Sequence, residues 1–189
     1  MEEFIFPIKL VSEKLDESFD LSKIKKFISE QKENNLTESR SNKGGWQSKN
    51  HRYSKDTIDD SLIPFVDLVD RAIKTYSNGS RFGHLNNVEV YLRSFWMNVN
   101  TPGAHNVLHI HPGSVLSGVF WVSCPENCGR LIVRHPNEMV NYYLGPDELS
   151  IDPQEGLLVL FPSYLPHLVE PNQGSEDRIS ISFNLSIKQ

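Results

Sequence analysis

The chain has 189 residues, a formal net charge of -5 and a hydrophobic fraction of 38%, which fits a single domain over 1–189 with a buried core of its own. Lys and Arg are scattered rather than striped, so there is no electrostatic footprint for a nucleic-acid backbone, and no nucleic-acid partner is expected. No stretch reaches the roughly 18 apolar residues of a membrane helix, and the opening MEEFIFPIKLVSEKL is acidic where a secretory signal is basic, its apolar run broken by Pro7 and Lys9; the expectation is a soluble cytoplasmic protein with no membrane partner.

In chain order, LSKIKKFISEQ (21–31) places Ile24, Phe27 and Ile28 at helical spacing. TESRSNKGGWQSKNHRYSKD (37–56) is polar and turn-rich and reads as a long loop, a kind of segment that is often functional or disordered. Its Trp46, beside two glycines, suits either a closing lid or an aromatic anchor that pins the loop to the body, and the anchor is preferred. DDSLIPFVDLVDRAIKTYSNG (59–79) repeats the helical pattern with Leu62, Phe65, Val69, Ile73 and Tyr76, and stops at Asn78-Gly79.

Near residue 85 the period drops to two. NVEVYLRSFWMNV, VLSGVFWV, RLIVRH, VNYYL, GLLVLF and RISISFNLSI are strand candidates separated by Pro, Gly and Asn clusters. A helical part over about 1–84 therefore supports a β-rich part over about 85–187, giving a mainly β fold with flanking α. Ser117-Gly118 marks a tight approach in the sheet wall, while Trp96, Phe120 and Trp121 read as packing residues. Cys124 and Cys128 of CPENC are expected to be reduced thiols.

In His109-Ile110-His111 the side chains at i and i+2 project from one face of a strand, so two imidazoles can reach one point, the spacing that a divalent metal needs. His167 follows the apolar run GLLVLF and supplies a third ligand from far along the chain, a set that leaves coordination positions open, as catalytic metal sites do. The last strand alternates Ile179, Ile181, Phe183, Leu185 and Ile187 with Arg178, Ser180, Ser182, Asn184 and Ser186. Either its polar face is simply wet, or a barrel wrapped by helices turns that face inward to hold a ligand. A buried guanidinium requires an anionic partner, and the fork of Arg178 with the Ser180 hydroxyl suits a dicarboxylate. His105 reads as supporting or solvent-exposed, and His51, His84 and His135 as surface residues.

The patterns NxxHxHPGSxxSGVxxV and FPSxLPHxVxPNxGxxxRISISFN, together covering roughly 85–187, resemble the 2-oxoglutarate and Fe(II)-dependent oxygenases. The resemblance implies a double-stranded β-helix, or jelly-roll, with Fe(II) and 2-oxoglutarate as cofactors. It implies that His109 and His167 are metal ligands and that Arg178 and Ser180 bind the distal carboxylate of 2-oxoglutarate, with Asn98 and Asn106 as further candidates for cofactor contacts. His111 stands where most of these enzymes carry Asp or Glu, and as a third neutral imidazole it leaves the iron site one unit more positive. The implied reaction couples decarboxylation of 2-oxoglutarate to oxidation, usually hydroxylation, of a small-molecule or peptide substrate that the sequence does not name.

Two other readings stay open. A cupin-type three-histidine iron dioxygenase fits Gly103 followed by HxH, but Val115 and Leu116 stand where its glutamate belongs and Arg178 has no task in it. A non-catalytic metal- or ligand-binding jelly-roll module is the second.

Overall fold

The structure is a computed structural model that describes residues 7–78, 88–145 and 147–188. The chain begins with strand β1 (Val11–Lys14), helix α1 (Ser22–Asn34), and three two-residue strands, β2 (Asn42–Lys43), β3 (Trp46–Gln47) and β4 (His51–Arg52). A 3-10 turn at Asp60–Leu62 leads into α2 (Ile63–Ser77). There follow β5 (Val90–Asn100), β6 (His105–His109), β7 (Leu116–Ser123), β8 (Leu131–Arg134), α3 (Glu138–Leu144), β9 (Glu148–Ile151), β10 (Leu157–Pro162), β11 (His167–Val169) and β12 (Arg178–Ile187).

All pairings are antiparallel. The larger sheet runs β1-β10-β7-β12-β5-β3, with β4 also on β5; the smaller runs β2-β6-β11-β8-β9. The mainly β double-stranded β-helix expected from the sequence is the fold observed.

Alternation along the strands sorts side chains into two layers. On β12, Ile181, Phe183 and Leu185 join Phe65, Leu68 and Val69 of α2, Ile24 and Ile28 of α1, and Leu158 and Leu160 of β10 in one buried cluster between helices and sheet. Val159 and Phe161 of β10 point the other way and pack with Trp121, Leu131, Val133 and Leu165. A strand covered on both faces must be apolar on both, which is why GLLVLF reads as an unbroken run. Burying the apolar face of β12 under helices turns Arg178, Ser180 and Ser182 inward. Gly118 sits opposite Phe183, where an added Cβ would lie 2.4 Å from both Phe183 Cζ and the Val159 carbonyl.

Several expectations are corrected. The N-terminal part is not purely helical: Val11–Lys14 pairs with β10 at the edge of the larger sheet. The segment 37–56 is no free loop, because β2, β3 and β4 add its backbone to β6 and β5. Trp46 is the anchor, 8% exposed, with its indole N–H donating to the Asn35 carbonyl at 3.0 Å. VNYYL is not a strand but most of α3, whose N-cap Asn137 accepts from Met139 N; this local cap overrides the strand propensity of the two tyrosines. His51 is half-buried and stacked on Phe95 with centroids 5.3 Å apart, and His135 is half-buried with Nδ1 accepting from Asn137 N. His84 and Gly79 lie outside the described residues. No described helix is long and apolar enough to cross a membrane. Cys124 and Cys128 are free thiols, both pushed up in pKa by burial.

Candidate functional site

Register brings the distant histidines together. β11 pairs with β6 so that His167 stands opposite His109. Strand β6 ends at His109, so His111 lies just beyond it rather than within a strand. Even so, one ligand atom from each of His109, His111 and His167 falls within 4.8 Å of the other two.

Hydrogen bonds decide which ring nitrogen faces the centre. His109 Nδ1 is 2.7 Å from the Val107 carbonyl and His167 Nδ1 is 2.9 Å from the Leu165 carbonyl. A carbonyl only accepts, so the proton of each neutral ring resides on Nδ1 and the Nε2 lone pair is left for a metal. His111 Nε2 lies 3.1 Å from His167 Nε2. Burial is the main cause that lowers all three pKa values, to about 3 for His111 and about 4 for His167. At neutral pH the set is uncharged, the state in which imidazole ligates.

Behind the histidines a narrow cavity runs inward between the sheets. Its lining includes Asn98, Asn100, Asn106, Trp121, Phe161, Arg178, Ser180 and Ser182. Arg178 is 1% exposed, and burial lowers its pKa. Its Nη1 donates to the carbonyls of Cys128, Gly129 and Glu170, while Nη2 has no partner among the described residues. Among the described residues no carboxylate lies within ion-pair distance of it; the Glu170 carboxylate is held by Arg130 at 2.9 Å. Asn98, 3% exposed, donates to Ser182 Oγ and leaves Oδ1 without a partner. A buried cation with an unfilled donor in a cavity wall is arranged for an anionic ligand, whereas the unfilled Asn98 Oδ1, an acceptor, calls for a hydrogen-bond donor.

The predicted residues therefore share one cavity: the three histidines, Arg178, Ser180, Asn98 and Asn106 all line it. Asn106 also donates to Ser41 Oγ and receives Asn100 Nδ2. His105 does not line it. Sequence reading missed Asn100 and Trp96. Asn100 stands opposite Arg178, and Trp96, taken for packing, places its ring 5.4 Å from His111. Alternation along NVEVYLRSFWMNV (87–99), carried one residue further to Asn100, puts Trp96, Asn98 and Asn100 on one face, but only pairing with β12 shows that it is the cavity face.

On the solvent side of the histidines lies a second, open groove of about 580 Å³, whose wall includes Glu38, Arg40, Gln47, Ser48, Trp96 and Ile110. His109, His111 and Trp96 line both spaces, so the histidine cluster stands between a closed chamber and an open one.

Residues 94–184 match the sequence model of a family described as "Putative 2OG-Fe(II) oxygenase", a family whose cofactors are Fe(II) and 2-oxoglutarate. No curated protein matches the sequence. Among solved structures, a prolyl-4-hydroxylase from Pseudomonas putida aligns with a TM-score of 0.63 at 14% identity, covering 96% of this chain and 94% of its own. A 2OG-Fe(II) oxygenase family oxidoreductase from Burkholderia pseudomallei aligns at 0.61 and 17% identity, covering 94% and 84%. A prolyl hydroxylase from Trichoplax adhaerens, solved with a peptide fragment, aligns at 0.59 and 19% identity, covering 88% and 75%. At these identities the likeness is one of fold.

Proposed function

We propose that this chain, whose residues 94–184 match the model of a 2OG-Fe(II) oxygenase family, is a hydroxylase of that kind that uses His109, His111 and His167 to hold Fe(II) and Arg178 with Ser180 to hold 2-oxoglutarate. The residues fit both groups. Three neutral imidazoles, two with Nε2 lone pairs freed by their Nδ1 hydrogen bonds, suit a ferrous ion. The unpaired Arg178 Nη2 suits the distal carboxylate of a diacid. When bound, iron and 2-oxoglutarate would supply the oxidising chemistry with dioxygen as the oxidant: the diacid loses CO2 and takes one oxygen atom to become succinate, and the other oxygen atom passes to the substrate.

The chain's own work is orientation and exclusion of water. Arg178 and Ser180 fix one end of the diacid so that its other end faces the histidines. Trp121, Phe161, Leu131 and Val169 line the chamber with apolar surface and keep bulk water from it. The open groove gives the substrate access to the opposite side of the metal.

One observation carries this reading: a buried guanidinium with an unfilled donor lines the same cavity as the three histidines. It also separates the hydroxylase from a three-histidine cupin, in which that cation has no task. The test is succinate release from 2-oxoglutarate with Fe(II) and ascorbate. Release that is lost in His109→Ala and in Arg178→Met supports the reading. Anaerobic binding of 2-oxoglutarate unchanged by Arg178→Met would sink it.

A further inference from the structure

We infer that the open groove takes an extended, uncharged polypeptide segment, held by the side-chain amide of Gln47 so that one residue's side chain reaches Trp96 and the metal ligands. This rests on the oxygenase reading above and names its substrate class.

Gln47 has a fixed backbone. Its N–H donates to Thr37 Oγ1 at 3.0 Å, its carbonyl accepts from Glu38 N at 2.9 Å, and β3 pairs it with Asn98. The residue is 6% exposed and lines the groove. Its Oε1 is buried and, among the described residues, has no partner, and its Nε2 donates to none of them. Leaving a buried amide empty is costly, and native structures retain few such groups without cause.

A primary amide presents an acceptor and a donor side by side. In an extended chain the N–H and C=O of one residue point to the same edge, the pair that strands exchange in an antiparallel ladder. Gln47 offers that complement, as a sheet edge does to an added strand.

The rest of the groove agrees. The formal charges in its wall are Glu38 and Arg40, 3.9 Å apart and self-neutralising, so nothing is left over to receive the ammonium or carboxylate of a free amino acid. The groove is open, whereas sites for small molecules enclose most of their ligand. Ile110 and Val107, 46% and 40% exposed, continue the apolar surface of Trp96 beside the histidines, and receive an aliphatic or aromatic side chain rather than a charged one.

The experiment incubates the Fe(II)- and 2-oxoglutarate-loaded protein with positional-scanning pools of N-acetylated, C-amidated nonapeptides and reads products 16 Da heavier by mass spectrometry. Hydroxylated peptides are expected, with preference for an apolar residue at the modified position. Gln47→Met, which keeps the side-chain volume, lowers product formation at least tenfold and leaves 2-oxoglutarate affinity unchanged. Replacing the N–H of the recognised residue by an ester oxygen lowers turnover by wild type but adds nothing further in Gln47→Met. Unmodified pools with 2-oxoglutarate still bound, or a Gln47→Met variant as active as wild type, overturn the inference. Occupancy is read separately from the Trp96 indole N–H resonance of the metal-free protein, which the pools shift in wild type; no shift overturns the inference whatever the catalytic result. Failure of the Fe(II)-loaded protein to bind 2-oxoglutarate overturns the oxygenase reading instead.

Discussion

The Nε2 atoms of His111 and His167 stand 3.1 Å apart, although the single ring proton of neutral His167 is already directed at the Leu165 carbonyl through Nδ1. In the metal-free pair His111 must therefore be the donor. A metal ion replaces that proton, turns both lone pairs onto itself and obliges His111 to carry its proton on Nδ1. His111→Ala should weaken Fe(II) binding by about 100-fold or more, since even outer partners of metal ligands are worth 10–100-fold. His111→Asp should retain the metal through its carboxylate. Chelator competition monitored by metal analysis decides it; an unchanged affinity in His111→Ala removes the residue from the ligand set.

Acid should destabilise the metal-free protein. His111 and His167 have folded-state pKa values of about 3 and about 4, below the roughly 6.5 of an unfolded histidine. Their contribution is fully present above pH 6.5 and is lost as pH falls through the window toward 4, because the unfolded state binds more protons there. The thermal midpoint measured in chelator should drop over that range. A flat profile between pH 6.5 and 4 would contradict it.

Arg178→Met should lower 2-oxoglutarate affinity by at least about 100-fold, the scale of losing a charge-assisted bidentate contact together with its buried setting. Fe(II) affinity should be unaffected, because the guanidinium bonds to backbone carbonyls and not to the histidines. Calorimetric titration of the two ligands separates these effects.

Gly118→Ala should cost about 2–3 kcal/mol by overpacking. The new methyl would meet Phe183 Cζ and the Val159 carbonyl at 2.4 Å, and Phe183 is fully buried in the cluster between α2 and the sheet. Urea unfolding measures the loss; a midpoint equal to that of wild type would show that the sheet can give way.

Trp46→Phe removes the hydrogen bond to the Asn35 carbonyl and should cost about 1 kcal/mol. Fe(II) and 2-oxoglutarate affinities should stay constant, since the indole belongs to the buried cluster beneath the sheet rather than to the chamber. A large change in either affinity would restore the lid reading of this segment.

The strand β12 shows how far local pattern reaches. Its alternation was plain in RISISFNLSI, and it fixed which residues share a face, because successive side chains on a strand point to opposite sides whatever the surroundings. It could not say which face is the chamber. That was decided by α1 and α2 covering Ile181, Phe183 and Leu185, which left the polar row inside. The same limit applied to Trp96 and Asn100, whose roles depend on β5 lying against β12.

Two further elements mark the boundary between local and long-range information. The residues 42–52 read as a loop because two-residue strands carry no period of their own; they exist only through partners supplied by β5 and β6. With them came Gln47 and the whole second wall of the groove. The sequence by itself determined the types of groups present, two helices with one apolar face each, and the parity that keeps Arg178 with Ser180, since these follow from covalent geometry and residue chemistry. Tertiary structure alone decided that His167 meets His109 across a register, that no carboxylate approaches Arg178 among the described residues, and that an amide with an unfilled oxygen shares a groove with His109 and His111. Those are contacts between segments far apart in the chain, and the free energy that selects them comes from packing the whole rather than from any stretch of it.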